Sequence, residues 1–206
     1  MVTCTHISNL LTGLLFCLLL VSCSIDVTPV TGEIEPVPTE HVKTEVKKPH
    51  LKVNTRDMVQ NVYLSQVGVR EATGNNDGVA VERYLKNLGL DKGYAWCAAF
   101  VRWCYDQAGV KTTITAWSPT AQNDNAVVYE KGKWKAKADK ADVFTLFYKG
   151  INRIGHTGFV DKVYNDNSMI QTVEGNTNGQ GSREGDGVYL KFRPSKTIHT
   201  ITSWIR

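Results

Sequence analysis

Two hydrophobic periods divide the chain. Between about residues 55 and 109 apolar positions recur three and four apart, as on one face of a helix, whereas from Asp142 onward they alternate or run in short β-branched stretches. Met58, Val59, Val62, Tyr63 and Val67 follow Thr55, a cap candidate, and predict a first helix ended by Gly68. Glu71 to Gly78 is rich in turn residues and is expected to be a solvated turn capping a second helix, Val79 to Leu88. The third helix starts at the run Trp96-Cys97-Ala98-Ala99-Phe100-Val101-Arg102-Trp103-Cys104 and stops at Gly109. Ser118-Pro119 predicts the cap and first residue of a short helix reaching about Val127, and Lys131 to Lys140 a solvated hairpin. Strands are expected over Val143–Tyr148, Thr157–Tyr164, Ser168–Glu174, Gly187–Phe192 and Ile198–Ile205. Helices first and strands afterwards, without βαβ alternation, define an α+β class with a mainly antiparallel sheet.

Chemistry enters on the third helix. Cys97, Val101, Cys104 and Ala108 share one face, so the thiol points where the apolar stripe packs. A cysteine in the first turn meets free backbone N–H groups and the positive end of the helix dipole, both of which favour the thiolate nucleophile. Downstream, Gly155-His156-Thr157-Gly158-Phe159-Val160 opens an apolar strand with a histidine, and Thr172-Val173-Glu174-Gly175-Asn176 closes another with a carboxylate and an amide. Nucleophile, base and orienting group are the parts of a thiol hydrolase. Each has a bland alternative: Cys97 as a small buried residue, His156 as a satisfied core histidine, Glu174 as a strand-end charge. Between Glu174 and Asn176 the roles of orienting the imidazole or a nearby backbone are not apportioned.

The segments YAWCAAFVRWCYDQAGV, GHTGFV and VEGN, with GVREATGNNDG ahead of them, resemble the CHAP family of cysteine- and histidine-dependent amidohydrolases/peptidases that cut peptidoglycan. The resemblance spans about residues 56 to 206. It implies a papain-like fold with N-terminal helices packed on the sheet, Cys97 as nucleophile, His156 as base, and Glu174 with Asn176 as polar partners. Tyr94 and Trp96, just before the thiol, are candidates for oxyanion or substrate contacts. Where the family often carries Pro-Gly-Asp before its first core strand, this chain has Lys140-Ala141-Asp142, so a different turn is expected there.

Composition changes the picture at the N-terminus. Residues 1–23 contain no Asp, Glu, Lys or Arg, and Leu10 to Val21 is almost wholly apolar, too short to span a bilayer and placed like a secretory h-region. Leu20-Val21-Ser22-Cys23 resembles a bacterial lipobox, which implies a lipid on Cys23 and an envelope protein held to a membrane leaflet, periplasmic or at the outer membrane. Residues 24–55 hold four of the six prolines, interleaved Glu and Lys and no aromatic residue, and read as a flexible spacer. Residues 56–206 form the expected catalytic domain.

Of five cysteines only Cys97 and Cys104 fall in that domain. Seven residues apart on one helix, their Cα atoms are roughly 10.5 Å apart, beyond disulfide reach. No Cys or His pair has zinc-ligand spacing, and Asn75, Asp77 and Gly78 match only part of a calcium loop, so neither metal nor cofactor is expected. From Arg56 onward 20 Lys and Arg stand against 15 Asp and Glu. That mild positive charge suits anionic envelope polymers and is too small to imply nucleic acid. The functions left open are a peptidoglycan hydrolase (endopeptidase or N-acetylmuramoyl-L-alanine amidase), a non-catalytic binding module, and a thiol acyltransferase or deamidase acting on another amide.

Overall fold

The computed structural model describes residues 54–164, 166–180 and 185–205. The leader, the lipidation candidate Cys23 and the spacer up to residue 53 lie outside the described residues. Three α-helices come first: α1 (Thr55–Ser65), α2 (Val79–Lys86) and α3 (Cys97–Gln107). Seven strands follow: β1 (Val127–Glu130), β2 (Lys133–Trp134), β3 (Val143–Tyr148), β4 (Arg153–Val163), β5 (Met169–Thr177), β6 (Gly187–Pro194) and β7 (Thr200–Thr202). They make one sheet in the order β2-β1-β7-β3-β4-β5-β6, antiparallel at every pairing. The α+β class expected from the pattern is the class observed, and it is consistent with the papain-like fold that the resemblance implies.

The third helix differs from an amphipathic surface helix. Eight of its eleven residues are buried, because α1 and α2 pack on one side of it and β4 and β5 on the other. The 97/101/104/108 stripe is buried as expected, and so are Ala98, Ala99, Phe100, Trp103 and Tyr105. Alanines at 98 and 99 let neighbouring elements approach, while each fully buried aromatic contributes about 1.5–3 kcal/mol of burial. Val143, Phe159, Val173 and Val188 face this helical core. Their strand neighbours Phe144, Val160 and Ile170 join β1 and β7 residues in a second cluster, so the central strands are covered on both faces.

Other boundaries move for identifiable reasons. Asn54, not Thr55, caps α1, its side chain accepting from the Arg56 N–H at 3.0 Å. Ser118 begins only a 3-10 turn, Ser118–Ala121, and Val127 opens strand β1 where a helix end was expected. Pairing of β1 with β7, distant in sequence, overrides the local signal. The Glu71–Gly78 turn is not merely solvated: Glu71 accepts from the Trp96 ring N–H at 2.8 Å, and Asp77, 8% exposed, accepts from the Thr73 backbone and hydroxyl. At Lys140-Ala141-Asp142 the turn keeps a glycine-like geometry despite the alanine: Ala141 sits at φ 64°. Its carbonyl accepts from the Tyr105 hydroxyl at 2.6 Å and its N–H bonds the Val160 carbonyl at 3.0 Å, which offsets a left-handed cost of roughly 1–2 kcal/mol. Arg56 ties this turn to the chain end, bonding the Lys140 carbonyl, Asp142 and Ser203 at 2.7, 2.8 and 2.9 Å.

Candidate active site

Cys97 is the first residue of α3, after Trp96 in a non-helical conformation (φ −120°, ψ 11°) with no side-chain cap. The N–H groups of the first turn thus lack intrahelical acceptors around the sulfur. His156 lies on β4 immediately after a register shift: Leu146 pairs with His156, but Phe147 pairs with Ile154, leaving Gly155 as the extra residue. A second shift on β5 follows Glu174 and involves Gly175 and Asn176, with Asn176 at φ 54°. Bulges bend a strand and re-aim the side chains beside them. Both strands are therefore irregular beside His156 and Glu174.

Two glycines set the spacing. A Cβ on Gly175 would stand 2.6 Å from the Trp96 ring and 2.8 Å from the Phe100 ring, so β5 touches the start of α3 only because that position is glycine. On Gly158 a Cβ would meet the Val173 carbonyl at 2.8 Å and the Phe144 ring at 2.9 Å. Gly175→Ala is expected to push the helix start off the strand, costing about 1–3 kcal/mol of stability through overpacking. Turnover should fall about a hundredfold through misplacement of the thiol. Gly150→Ala, which meets open space, is the control; equal behaviour of the two in melting and activity measurements would contradict this account.

The imidazole of His156 is fully buried and divided between two partners. Its Nε2 lies 2.9 Å from Glu174 Oε2. Nδ1 then meets the Cys97 side; it lacks a partner of good hydrogen-bond geometry, yet thiol and imidazole each shift the other's titration. Catalytic hydrogen bonds are often poorly aligned in a site without substrate. Burial would raise the thiol, but His156, Ser118 and the Thr157 backbone N–H outweigh it and hold Cys97 below the ordinary thiol value. Burial would likewise lower His156, but Cys97 and Glu174 lift it to about 9. Cys104, buried without such partners, is pushed well up by burial, which disfavours its reactive thiolate form.

Glu174 is held on all sides. Arg193 on β6 forks onto it, Nε to Oε1 and Nη2 to Oε2, both at 2.6 Å, and the Thr172 hydroxyl donates to Oε1 at 2.5 Å. Against burial, Arg193 and then His156 bring its carboxyl down to about 2. Asn176 does something else. With oxygen and nitrogen assigned from its neighbours, its carboxamide accepts from the Trp96 backbone N–H and donates to the Gly185 carbonyl, each at 3.0 Å. It braces the residue before the nucleophile and does not touch the imidazole. Trp96 is fully buried and tied to Glu71, so it is a wall of the core and not a substrate surface. Tyr94 is 56% exposed.

The sequence reading missed two residues that complete the site, Arg193 and Ser118, whose hydroxyl is 3.4 Å from the Cys97 sulfur. The sulfur itself is only 2% exposed. Beside it runs an open polar groove of about 850 Å³, lined by Glu71, Asn76, Gly93, Ala95, Asn176 and Tyr189 among others. Neither Cys97 nor His156 lines it, but Ala95 and Asn176 bring it to within two residues of the helix start.

A helix-start thiol, an imidazole from an antiparallel strand and a carboxylate from the next strand define the papain-like class of cysteine-dependent hydrolase folds. The family comparison agrees: the CHAP domain model matches residues 89–176, a span containing Cys97, His156 and Glu174, and members of that family are typically cysteine- and histidine-dependent amidohydrolases. No curated protein and no solved structure matches the chain. Arg193 lies beyond the matched span.

Proposed function

We propose that the domain hydrolyses amide bonds of peptidoglycan, either between amino acids of the stem or cross-bridge or at the sugar–peptide amide, with Cys97 as nucleophile. The observation that carries this reading is the division of one buried imidazole between a thiol and an anchored carboxylate. In the resting site the proton sits on His156 and the charge on sulfur. The thiolate attacks the amide carbonyl, a C–S bond forms, and the carbonyl electron pair moves to oxygen, where the Cys97 N–H at the helix start receives it. The tetrahedral species collapses as His156 gives its proton to the leaving nitrogen. Water, deprotonated by the now neutral His156, then attacks the thioester and releases the acid and the thiolate. Glu174 fixes the ring and the tautomer with hydrogen on Nε2. The leader, the lipid on Cys23 and the spacer of the sequence reading supply export and a tether from which the domain reaches the wall.

The test is digestion of purified sacculi by the full-length protein, with fragments identified by mass spectrometry. New amino termini within peptides mark an endopeptidase, and peptides freed from muramic acid an amidase. Intact sacculi would overturn the proposal and favour a binding module; acyl transfer to an added amine without hydrolysis would favour the transferase. Rate should follow a bell in pH. On the basic side it falls as pH rises through about 9, where His156 loses its proton. On the acid side it falls as the thiolate is protonated, at a pH below the ordinary thiol value of 9.0. Glu174, with its carboxyl near 2, stays ionised throughout.

A further inference from the structure

A nearly sealed thiolate needs more than one donor, and the imidazole can address it from only one direction. Ser118 stands at another. Its Oγ is 3.4 Å from Sγ, its residue is 7% exposed, and the hydroxyl bonds sulfur rather than capping its own 3-10 turn. A serine at the start of a helical turn ordinarily turns its oxygen to the backbone N–H groups ahead of it; here Trp117 is the cap residue, no side-chain cap forms, and the hydroxyl is left for the thiol.

The position is built. Thr115, Trp117 and Thr120 close a small ring: the Thr115 N–H donates to Thr120 Oγ1 at 2.9 Å, that hydroxyl donates to the Trp117 carbonyl at 2.7 Å, and the Trp117 N–H donates to Thr115 Oγ1 at 3.2 Å. Pro119 stiffens the turn, and Trp204 Nε1 donates to the Ala121 carbonyl at 3.0 Å behind it. The approach to this turn is bolted to the cysteine helix itself. Arg102, one and a half turns after Cys97, donates to the Thr112 and Ile114 carbonyls at 3.0 and 3.1 Å, and Asp106 on the same helix grips its Nε at 2.7 Å. Helix α3 thus presents Cys97 at its start and, through Arg102, fixes the loop that returns Ser118 to the sulfur. Such pre-organisation lets a donor act without reorganising when charge appears.

We propose that Ser118 is a further catalytic residue, its hydroxyl donating to the Cys97 thiolate and keeping the sulfur charged before substrate arrives. The proposal rests on Cys97 being the nucleophile, as read above. With the sulfur charged, the Ser118 hydroxyl is the donor of this 3.4 Å contact. Burial alone would favour the thiol form, and Ser118 is among the groups that reverse it.

The experiment follows alkylation of Cys97 by iodoacetamide across pH in the full-length protein, with the Cys97 peptide quantified by mass spectrometry so that the other cysteines do not contribute. In Ser118→Ala the alkylation rate at mildly acidic pH should fall about tenfold, the size of one hydrogen bond to a charged group. The variant and wild-type rates should converge at alkaline pH, where both are thiolate. Ser118→Thr, which keeps the hydroxyl, should restore most of the acidic rate. Superimposable profiles for wild type and Ser118→Ala, or a loss by the same factor at every pH, would overturn the proposal. Because alkylation needs no substrate, failure of sacculus digestion and failure of this inference are separate results. An unchanged alkylation profile in a protein that digests sacculi removes Ser118 alone.

Discussion

Cys97→Ala is expected to abolish turnover of sacculi, by at least about four orders of magnitude, while leaving a folded domain. The side chain loses one sulfur at the first position of a helix where alanine is well tolerated, so circular dichroism should be unchanged. The electrostatics should not be. In the intact site Cys97 and Glu174 together lift His156 to about 9 against the pull of burial. Without the thiolate, Glu174 is the remaining upward influence, and the imidazole should lose its proton at a lower pH, read directly from an NMR titration of His156. The sign carries into stability. A histidine whose folded value is raised stabilises the fold fully below its unfolded value of about 6.5, and that contribution fades as pH rises through the folded value. In the variant the folded value lies nearer the unfolded one, so this contribution is smaller and is exhausted at a lower pH, and the fall in melting temperature from neutral to alkaline pH should be smaller than in wild type. Hydrolysis within tenfold of wild type would place the attacking group elsewhere in the chain.

How far the chain announces this site is visible residue by residue. Cys97 and His156 were legible because each belongs to a local signal: a helix start ahead of an alanine-rich apolar run, and a glycine-flanked histidine opening a strand. Gly175 was legible as part of a motif, but its reason, contact of β5 with the Trp96 and Phe100 rings, belongs to packing between distant elements. Arg193 was hidden. Lys191 and Arg193 alternate on β6 as any solvated strand face would, and only the pairing of Met169 with Pro194 through Glu174 with Tyr189 shows that this face runs beside Glu174. Ser118 was read as a cap, which its Ser-Pro context imitates well; a return loop bolted to α3 by Arg102 leaves no mark in the sequence around Ser118. Asn176 was read as a candidate partner of the imidazole or of a nearby backbone, and the left-handed turn at φ 54° sends its amide to the Trp96 backbone. The sheet was legible from Val143 on, whereas β1 was read as a helix end, since it enters the sheet by pairing with β7 at the far end of the chain.

Glu174→Ala should cost both activity and stability, and the two losses should separate in a second variant. Its two oxygens accept four hydrogen bonds, from Thr172, His156 and twice from Arg193. Removing the carboxylate leaves the His156 Nε2 hydrogen and a largely buried guanidinium without an anion, a defect of about 3–5 kcal/mol. The imidazole also loses the group that fixes its tautomer, for which a fall in turnover of about a thousandfold or more is expected. Glu174→Gln keeps an acceptor for the ring but no charge for Arg193, and should fall between alanine and wild type in stability while remaining nearly inactive. The pH dependence has a defined sign. The carboxyl is depressed to about 2 from an ordinary value of 4.5, so its contribution is present above about 4.5 and is lost as pH falls from there through 2. For so buried a group that contribution is on the order of 3 kcal/mol, and the acid unfolding midpoint of the variants should lose this dependence. Replacing Glu174 and Arg193 together by leucine removes both charges at once, and stability should return toward wild type while activity does not, because buried ion pairs exchanged for apolar groups are often neutral. Stability lost equally in single and double variants would show that the pair acts through packing. Activity regained in the double variant would mean the carboxylate takes no part in the chemistry.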